Sequence, residues 1–188
     1  MILFVKNMLC DRCILIVRQQ LENLGFTIGD ITLGKVSITP EPSAEKLQQI
    51  MATFHTLGFE LIDKEKDQLV EQVKTQVIEL VHHADLAEAK ESLTSTLAAK
   101  LNKEYTYLSR LFSDAEGITI EKYIIQQKVE KVKELLEYGE LNLNEIAARM
   151  GYSSSAHLST QFKSVTGMPP SKYKTQPTGN RKPLDQVS

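Results

Sequence analysis

The second half of this chain contains a repeated block, and that repeat narrows its possible folds more than any other feature. Leu108-Ser109, then Phe112, Gly117 and Lys122-Tyr123, recurs as Leu158-Ser159, then Phe162, Gly167 and Lys172-Tyr173. Upstream, Leu97-Ala98-Ala99-Lys100-Leu101 is answered by Ile146-Ala147-Ala148-Arg149-Met150, with a one-residue slip between the blocks. Each copy reads as a short helix, a tight turn and a second helix. A helix-turn-helix unit lays its second helix in a major groove, so two of them make double-stranded DNA the first partner to consider. The bland alternative is a six-helix bundle whose repeat records a duplication and nothing more.

Length and composition bound the rest. The 188 residues suffice for one large or two small domains with modest cores. A hydrophobic share of 41% and a charged share of 24% are ordinary for a globular chain. The longest apolar runs, residues 2–5 and 13–17, fall far short of the roughly 20 residues of a membrane span. The first run is also too short for a signal-peptide core and has no basic segment before it, so the expectation is a cytoplasmic protein with no membrane partner. Net charge is −2, but residues 1–90 hold nine Lys and Arg against thirteen Asp and Glu, while residues 91–188 hold thirteen against eleven. A weak, locally basic field suits a protein that binds a defined site more than one that coats DNA.

The patterning predicts an α+β chain. Residues 1–63 alternate strand and helix signals in the order βαββαβ, a ferredoxin-like unit. Strands are expected at 2–6, 27–33, 35–39 and 59–62, and helices at 13–24 and from the Ser43 cap to about Leu57. Residues 64–84 read as one connecting helix that is also the first helix of the next domain. Residues 85–174 carry the double helix-turn-helix, with a joining helix at 119–138. At 1.5 Å per residue such a helix spans roughly 30 Å, close to the roughly 34 Å of one turn of B-DNA. The two second helices can then enter successive major grooves. The tail, 175–188, with three Pro and Gly and little apolar content, is expected to be loose and flexible.

In the second copy Gly151 supplies the positive φ of a tight turn, and Ser153 and Ser154 can cap the next helix. Leu158 and Phe162 belong to the core, while Ser155, Ala156, His157, Ser159, Thr160 and Lys163 lie opposite, small or hydrogen-bonding enough to approach base edges. In the first copy Leu108, Leu111 and Phe112 face inward and Thr106, Ser109 and Arg110 outward. Arg110 is the candidate for a bidentate guanine contact or a phosphate clamp. No glycine-rich phosphate loop and no nucleophile–base arrangement stands out in the sequence, so an enzyme is not the expectation.

The run Ile146-Ala147-x-x-Met150-Gly151-Tyr152-Ser153-Ser154, followed by His157-Leu158, Phe162-Lys163, Gly167, Pro170 and Tyr173, resembles the C-terminal signature of the AraC/XylS family of transcriptional regulators. The resemblance covers about residues 68–174. It implies a bacterial transcription factor with two helix-turn-helix subdomains on a long helix, and RNA polymerase as a further partner if the protein activates. It also implies base contacts from Thr106, Ser109, Arg110, Ser155, Ala156, His157, Ser159 and Thr160. Two departures stand out: Thr160 occupies a position where Arg is frequent, and Glu104 one where a Ser cap is usual.

The two cysteines, Cys10 and Cys13, form a C-x-x-C motif between a strand and a helix. A helix N-terminus favours thiolate, and two thiolates suit a soft ion such as Cu(I) or Zn(II). A dithiol switch and a plain pair of buried hydrophobes are the other readings. The segment resembles the heavy-metal-associated domain of copper chaperones and metal-transport ATPases, with Asn7 where that family carries Gly before Met. His55, His82 and His83 show no spacing that completes a site, and His82-His83 reads as a solvated stretch. Asp85 and Glu145 read as surface or capping groups. The rival to a DNA-binding regulator is thus a metal-binding or metallochaperone-like protein whose helical domain docks a protein partner. Edges of the small sheet leave homodimerisation open.

Overall fold

The computed structural model describes residues 1–62, 64–84, 86, 92–175 and 181–187. They form two compact units, Met1–Thr75 and Gln76–Ser188. The first contains β1 (Ile2–Lys6), α1 (Asp11–Asn23), β2 (Thr27–Thr32), β3 (Lys35–Thr39), α2 (Ala44–Thr56) and β4 (Glu60–Leu61). Its sheet runs β2-β3-β1-β4, and every neighbouring pair is antiparallel. Each helix therefore links two strands that have a third between them.

Alternation along the strands sets the inner face. Leu3 and Val5 on β1 and Val36 and Ile38 on β3 are buried, and Val17 and Leu21 of α1 and Ile50 and Phe54 of α2 close over them. Ser43 caps α2, its hydroxyl accepting from the Lys46 N–H at 3.2 Å. β2 carries one extra residue between Ile28 and Ile31, where the Ser37 hydroxyl accepts from the Asp30 N–H at 2.6 Å.

Asn7 follows β1 with φ at 67°, the left-handed region that Asn tolerates best after Gly. Its side chain donates to the Gly58 carbonyl at 2.9 Å, which holds the turn in place. Asn7 thus supplies a left-handed backbone that Gly adopts most readily.

α3 (Glu65–Ile78) continues into a wider π-helical turn, Glu79–His83. The N-terminal unit ends at Thr75, inside this helix, although the change of pattern in the sequence falls at 63/64. The early turns of α3 are tied to the first unit: Gln68 donates to the Ile62 carbonyl, and Glu71 accepts from the Asn7 N–H.

The second unit is helical among its described residues. α4 (Leu93–Leu101), α5 (Tyr105–Glu116), α6 (Ile120–Tyr138), α7 (Leu143–Arg149), α8 (Ser155–Thr166) and α9 (Pro170–Lys174) follow in order, and α6 begins one residue after the expected start of the joining helix. Asn142 and Glu145 form a reciprocal capping box on α7, which assigns Glu145 its capping role, while Asp85 lies outside the described residues. α6 is the core element. Ile120, Tyr123, Ile124, Val129, Val132, Leu135 and Leu136 are buried on it, together with Gln127, Glu130 and Lys133. Glu130 and Lys133 satisfy each other as an ion pair at 2.6 Å.

Two expectations fail here. His82 is not solvated. It donates from Nε2 to the Gln127 side-chain carbonyl at 2.9 Å, and Gln127 in turn donates to the Tyr123 hydroxyl and the Leu184 carbonyl. Burial lowers the His82 pKa to about 4, against the raising effect of the Gln127 hydrogen bond; Lys131 and His83 push the same way as burial and Glu134 opposes them. Nor is the described part of the tail, residues 181–187, loose. The Arg181 guanidinium lies 2.8 Å from Glu134, the Lys182 N–H donates to Glu130, and Val187 is buried. Glu130, Glu134 and Glu137 recur at helical spacing on α6, and this acidic row receives the basic tail. Residues 176–180 and 188 lie outside the described set.

His82 yields a stability prediction. Below pH 6.5 the unfolded chain protonates this histidine, while the folded chain resists protonation until about pH 4. Its contribution is therefore complete above pH 6.5 and is lost as pH falls toward 4. The total loss is no more than about 3 kcal/mol. Urea unfolding across this range should show a shallower pH slope for His82→Gln than for the parent chain. Equal slopes would remove His82 from the account.

Candidate nucleic-acid interface

The repeat in the sequence becomes a repeated packing device. Leu108 and Phe112 of α5 are fully buried, as are Leu158 and Phe162 of α8 within 1% exposure. α5 stops at Gly117 and α8 at Gly167, both left-handed. The chain then returns an aromatic ring onto each Phe. Phe112 meets Tyr123 at 5.4 Å between centroids, and Phe162 meets Tyr173 at 5.5 Å. These rings fix the roll of α5 and α8 about their own axes, and so fix which side of each helix faces outward.

The turns match as well. Asn102 and Gly151 both take positive φ, 49° and 68°. In the first copy the Lys103 N–H reaches the Ala98 carbonyl, and in the second the Tyr152 N–H reaches the Ala147 carbonyl. The one-residue slip follows this point. Lys103 and Glu104 lead into α5, whereas Tyr152, Ser153 and Ser154 lead into α8. The extra residue brings a cap: Ser154 accepts from the His157 N–H at 3.1 Å, whereas Glu104 makes no side-chain cap.

The outward sides carry the expected residues. On α5, Thr106 and Arg110 are exposed and Ser109 is half-exposed, with exposed Tyr107 beside them. On α8, Ala156, His157, Thr160 and Lys163 are exposed and Ser155 and Ser159 half-exposed. Positions 106, 109 and 110 share one helix face, as do 156, 159, 160 and 163. Two of these groups are already engaged. The Thr160 hydroxyl donates back to the Ala156 carbonyl at 3.0 Å, and His157 Nδ1 lies 3.2 Å from the Ser153 hydroxyl.

A network that sequence reasoning missed sets the angle of α8. Lys128 of α6 donates to the Met150 carbonyl at 2.9 Å and sits 5.1 Å from the Tyr152 ring centroid. The Tyr152 ring packs edge-on to His157, and its hydroxyl donates to Gln161 at 2.7 Å. Burial pushes the Tyr152 phenol up to about 12, so it stays a donor, and burial likewise depresses Lys128. The only signal in the sequence was an aromatic residue directly after the turn glycine.

The cysteine pair belongs to the other unit. Cys10 is the extended residue just before α1, Cys13 lies in its first turn, and their sulfurs are 3.2 Å apart. The helix start was expected to favour thiolate at both. Burial instead pushes the Cys13 thiol up, outweighing the Leu9 and Cys10 backbone hydrogen bonds that lower it. Among the described residues no group of three or more His, Cys, Asp or Glu side chains gathers to hold a metal.

Comparison with known proteins bears on the helical unit. Residues 97–176 match a family model described as a helix-turn-helix domain. The chain is 33% identical over 84 residues to the Msm operon regulatory protein of Streptococcus mutans, a match covering 45% of this chain and 30% of that protein. It is 35% identical over 95 residues to a putative AraC-like transcription regulator of Streptomyces lividans, covering 50% and 28%. Among solved structures, the C-terminal domain of AraT, a response regulator from Geobacillus stearothermophilus, aligns at a TM-score of 0.51 and 26% identity. That alignment covers 64% of this chain and 95% of the other. The matches thus span less than a third of either curated relative.

The turn geometry is testable. At Gly151 a methyl group would meet the Leu86 carbonyl oxygen at 3.4 Å while the backbone holds φ at 68°. Gly151→Ala should cost about 1–2 kcal/mol from the left-handed backbone alone. Asn102→Gly, which relaxes the equivalent turn, should change stability by less than about 0.5 kcal/mol. Urea midpoints of the two variants read the contrast.

Proposed function

We propose that this chain is a sequence-specific DNA-binding transcriptional regulator of the AraC type, not an enzyme, that reads two adjacent major grooves with α5 and α8. The observation that carries this reading is the duplicated packing device, which turns two polar helix faces outward from one connecting helix. α6 has 19 residues. Such a helix is about 28 Å long, near the pitch of B-DNA. One chain can then contact two half-sites that need not be palindromic.

Each outward residue has a role under this reading. Arg110 presents a planar fork that suits guanine O6 and N7, or a phosphate. Thr106, Ser109, Ser155, Ser159 and Thr160 offer hydroxyls to base edges or phosphates, and Ala156 suits a thymine methyl. His157 has Nδ1 already partnered by the Ser153 hydroxyl, which leaves Nε2 for a base. Lys163 is a point charge for the phosphate backbone. RNA polymerase is the further partner if the protein activates transcription, and homodimerisation through the first unit would place four recognition helices on one operator.

The first unit is read as a ferredoxin-like domain with a signal-receiving role. Its βαββαβ order, its antiparallel 2-3-1-4 sheet and the left-handed Asn7 before Met8 support the resemblance to heavy-metal-associated domains. Cys10 and Cys13 are the residues that would hold a soft ion there. Two sulfurs without a further ligand cluster among the described residues suit low-coordinate Cu(I) better than Zn(II), which takes four ligands in structural sites. Bound there, the ion would supply a charge and a crosslink at the start of α1. The second reading, a metallochaperone-like protein whose helical unit docks a protein, draws on this cysteine pair alone.

Selection on random duplex DNA at about 150 mM salt should enrich a bipartite site with halves about 10 bp apart. On that site Arg110→Ala should cost about 1–3 kcal/mol and relax one base position, while Lys163→Ala should weaken binding evenly and lower the salt slope by about one. Negligible effects from both would turn α5 and α8 away from DNA. Separately, titration with Cu(I) and Zn(II) should show saturable Cu(I) binding that the Cys10→Ser, Cys13→Ser double variant lacks. Identical curves would remove the metal site.

A further inference from the structure

Within the helical unit a cleft of about 370 Å³ opens between the first turn of α4, the outer side of α6 and the Gly151 turn. That is the size of a small-molecule site. Its walls are largely apolar, from Leu93, Ile124 and Ile125, with Leu86 beside them. Among the described residues two charged side chains line it, Glu121 and Lys128, seven residues apart on α6. Two helical turns separate them, about 10 Å along the axis, so they mark opposite ends.

The ends differ in how their charge is met. Glu121 accepts a hydrogen bond from the Tyr105 hydroxyl and lies on the exposed side of its helix. Lys128 is half-buried. The Met150 carbonyl and the Tyr152 ring solvate it, but among the described residues no carboxylate lies at ion-pair distance. Burial lowers its basicity. An ammonium in an apolar cleft without a counter-ion is costly, and an anion relieves that cost. The opening turn of α4 faces the same space with Ser92, Leu93 and Thr94, and the first N–H groups of a helix favour negative charge.

We propose that this cleft binds a small organic anion with an apolar body, its carboxylate on Lys128 and its hydrocarbon against Leu93, Ile124 and Ile125. Lys128 is also the cation that ties α6 to the turn before α8. An anion on it competes with the Met150 carbonyl and the Tyr152 ring, so occupancy weakens the hold on α8 and lowers affinity for DNA. The binding step is independent of the DNA reading; the effect on affinity rests on it.

The experiment is calorimetric titration of the full chain, without DNA, with octanoate and with octanamide as the uncharged counterpart. Octanoate should bind saturably at one site, about tenfold or more tighter than octanamide, because a charge-assisted hydrogen bond is at stake. Lys128→Met should erase that preference, and Ile125→Trp, which fills the cleft and leaves Lys128 in place, should abolish binding of both. Absence of saturable binding to the parent chain, or equal binding of the two ligands, overturns the site without reference to any variant. With the selected duplex, saturating octanoate should then weaken DNA binding of the parent chain and leave Lys128→Met unchanged. Octanoate binding with unaltered DNA affinity overturns the coupling. Failure to select any duplex is a failure of the DNA reading and leaves the calorimetric result standing.

Discussion

Both helix-turn-helix units depend on the burial of one long helix. α6 is packed on almost every side, and its two ends serve the two copies of the repeat. Tyr123 near its start receives Phe112, and Glu137 near its end accepts from the hydroxyl of Tyr173, the ring that receives Phe162. A helix so enclosed cannot keep a purely apolar surface and still carry charge toward solvent. It therefore buries Gln127, Glu130 and Lys133 with their partners supplied. Removing one partner of such a pair leaves an uncompensated charge, which makes α6 intolerant of change and a rigid spacer between α5 and α8.

That rigidity has a functional consequence under the DNA reading. Two helices that read successive grooves must keep a fixed spacing, or the second contact costs as much entropy as a separate binding event. The Phe–Tyr pairs fix the roll of α5 and α8, and the Lys128–Tyr152 network fixes the approach of α8 to its turn. The two copies differ here. α8 has a Ser cap and a cation beneath its turn, while α5 has neither Ser cap nor equivalent lysine among the described contacts. The first copy carries the arginine, and the second carries the stronger local scaffold.

Much of this was legible because it is local. Caps at Ser43 and Ser154, the positive φ of Gly151 and the apolar pairs at 108/112 and 158/162 act within a few residues, so spacing alone reveals them, whereas the Thr119 cap on α6 emerged only with the structure. The outward faces of α5 and α8 follow from the same periodicity. The fate of His82, of Lys128 and of the tail was not legible. Each depends on a segment far away in sequence: Gln127 for His82, Met150 and Tyr152 for Lys128, and the acidic row of α6 for Arg181. A polar residue on a helix looks alike in sequence whether its neighbour is water or a buried amide.

The sequence by itself determined the elements, the duplication and the turn chemistry, because helix periodicity, capping and positive φ are set by residues in contact along the chain. It also determined which residues can face a partner, since Leu and Phe at helical spacing leave only one side free. The tertiary structure alone decided which charges are buried. Desolvation depends on everything packed around a group, and those neighbours come from distant parts of the chain. That is why the neutral His82, the Glu130–Lys133 pair and the half-buried Lys128 cation emerged only once the helices were in place.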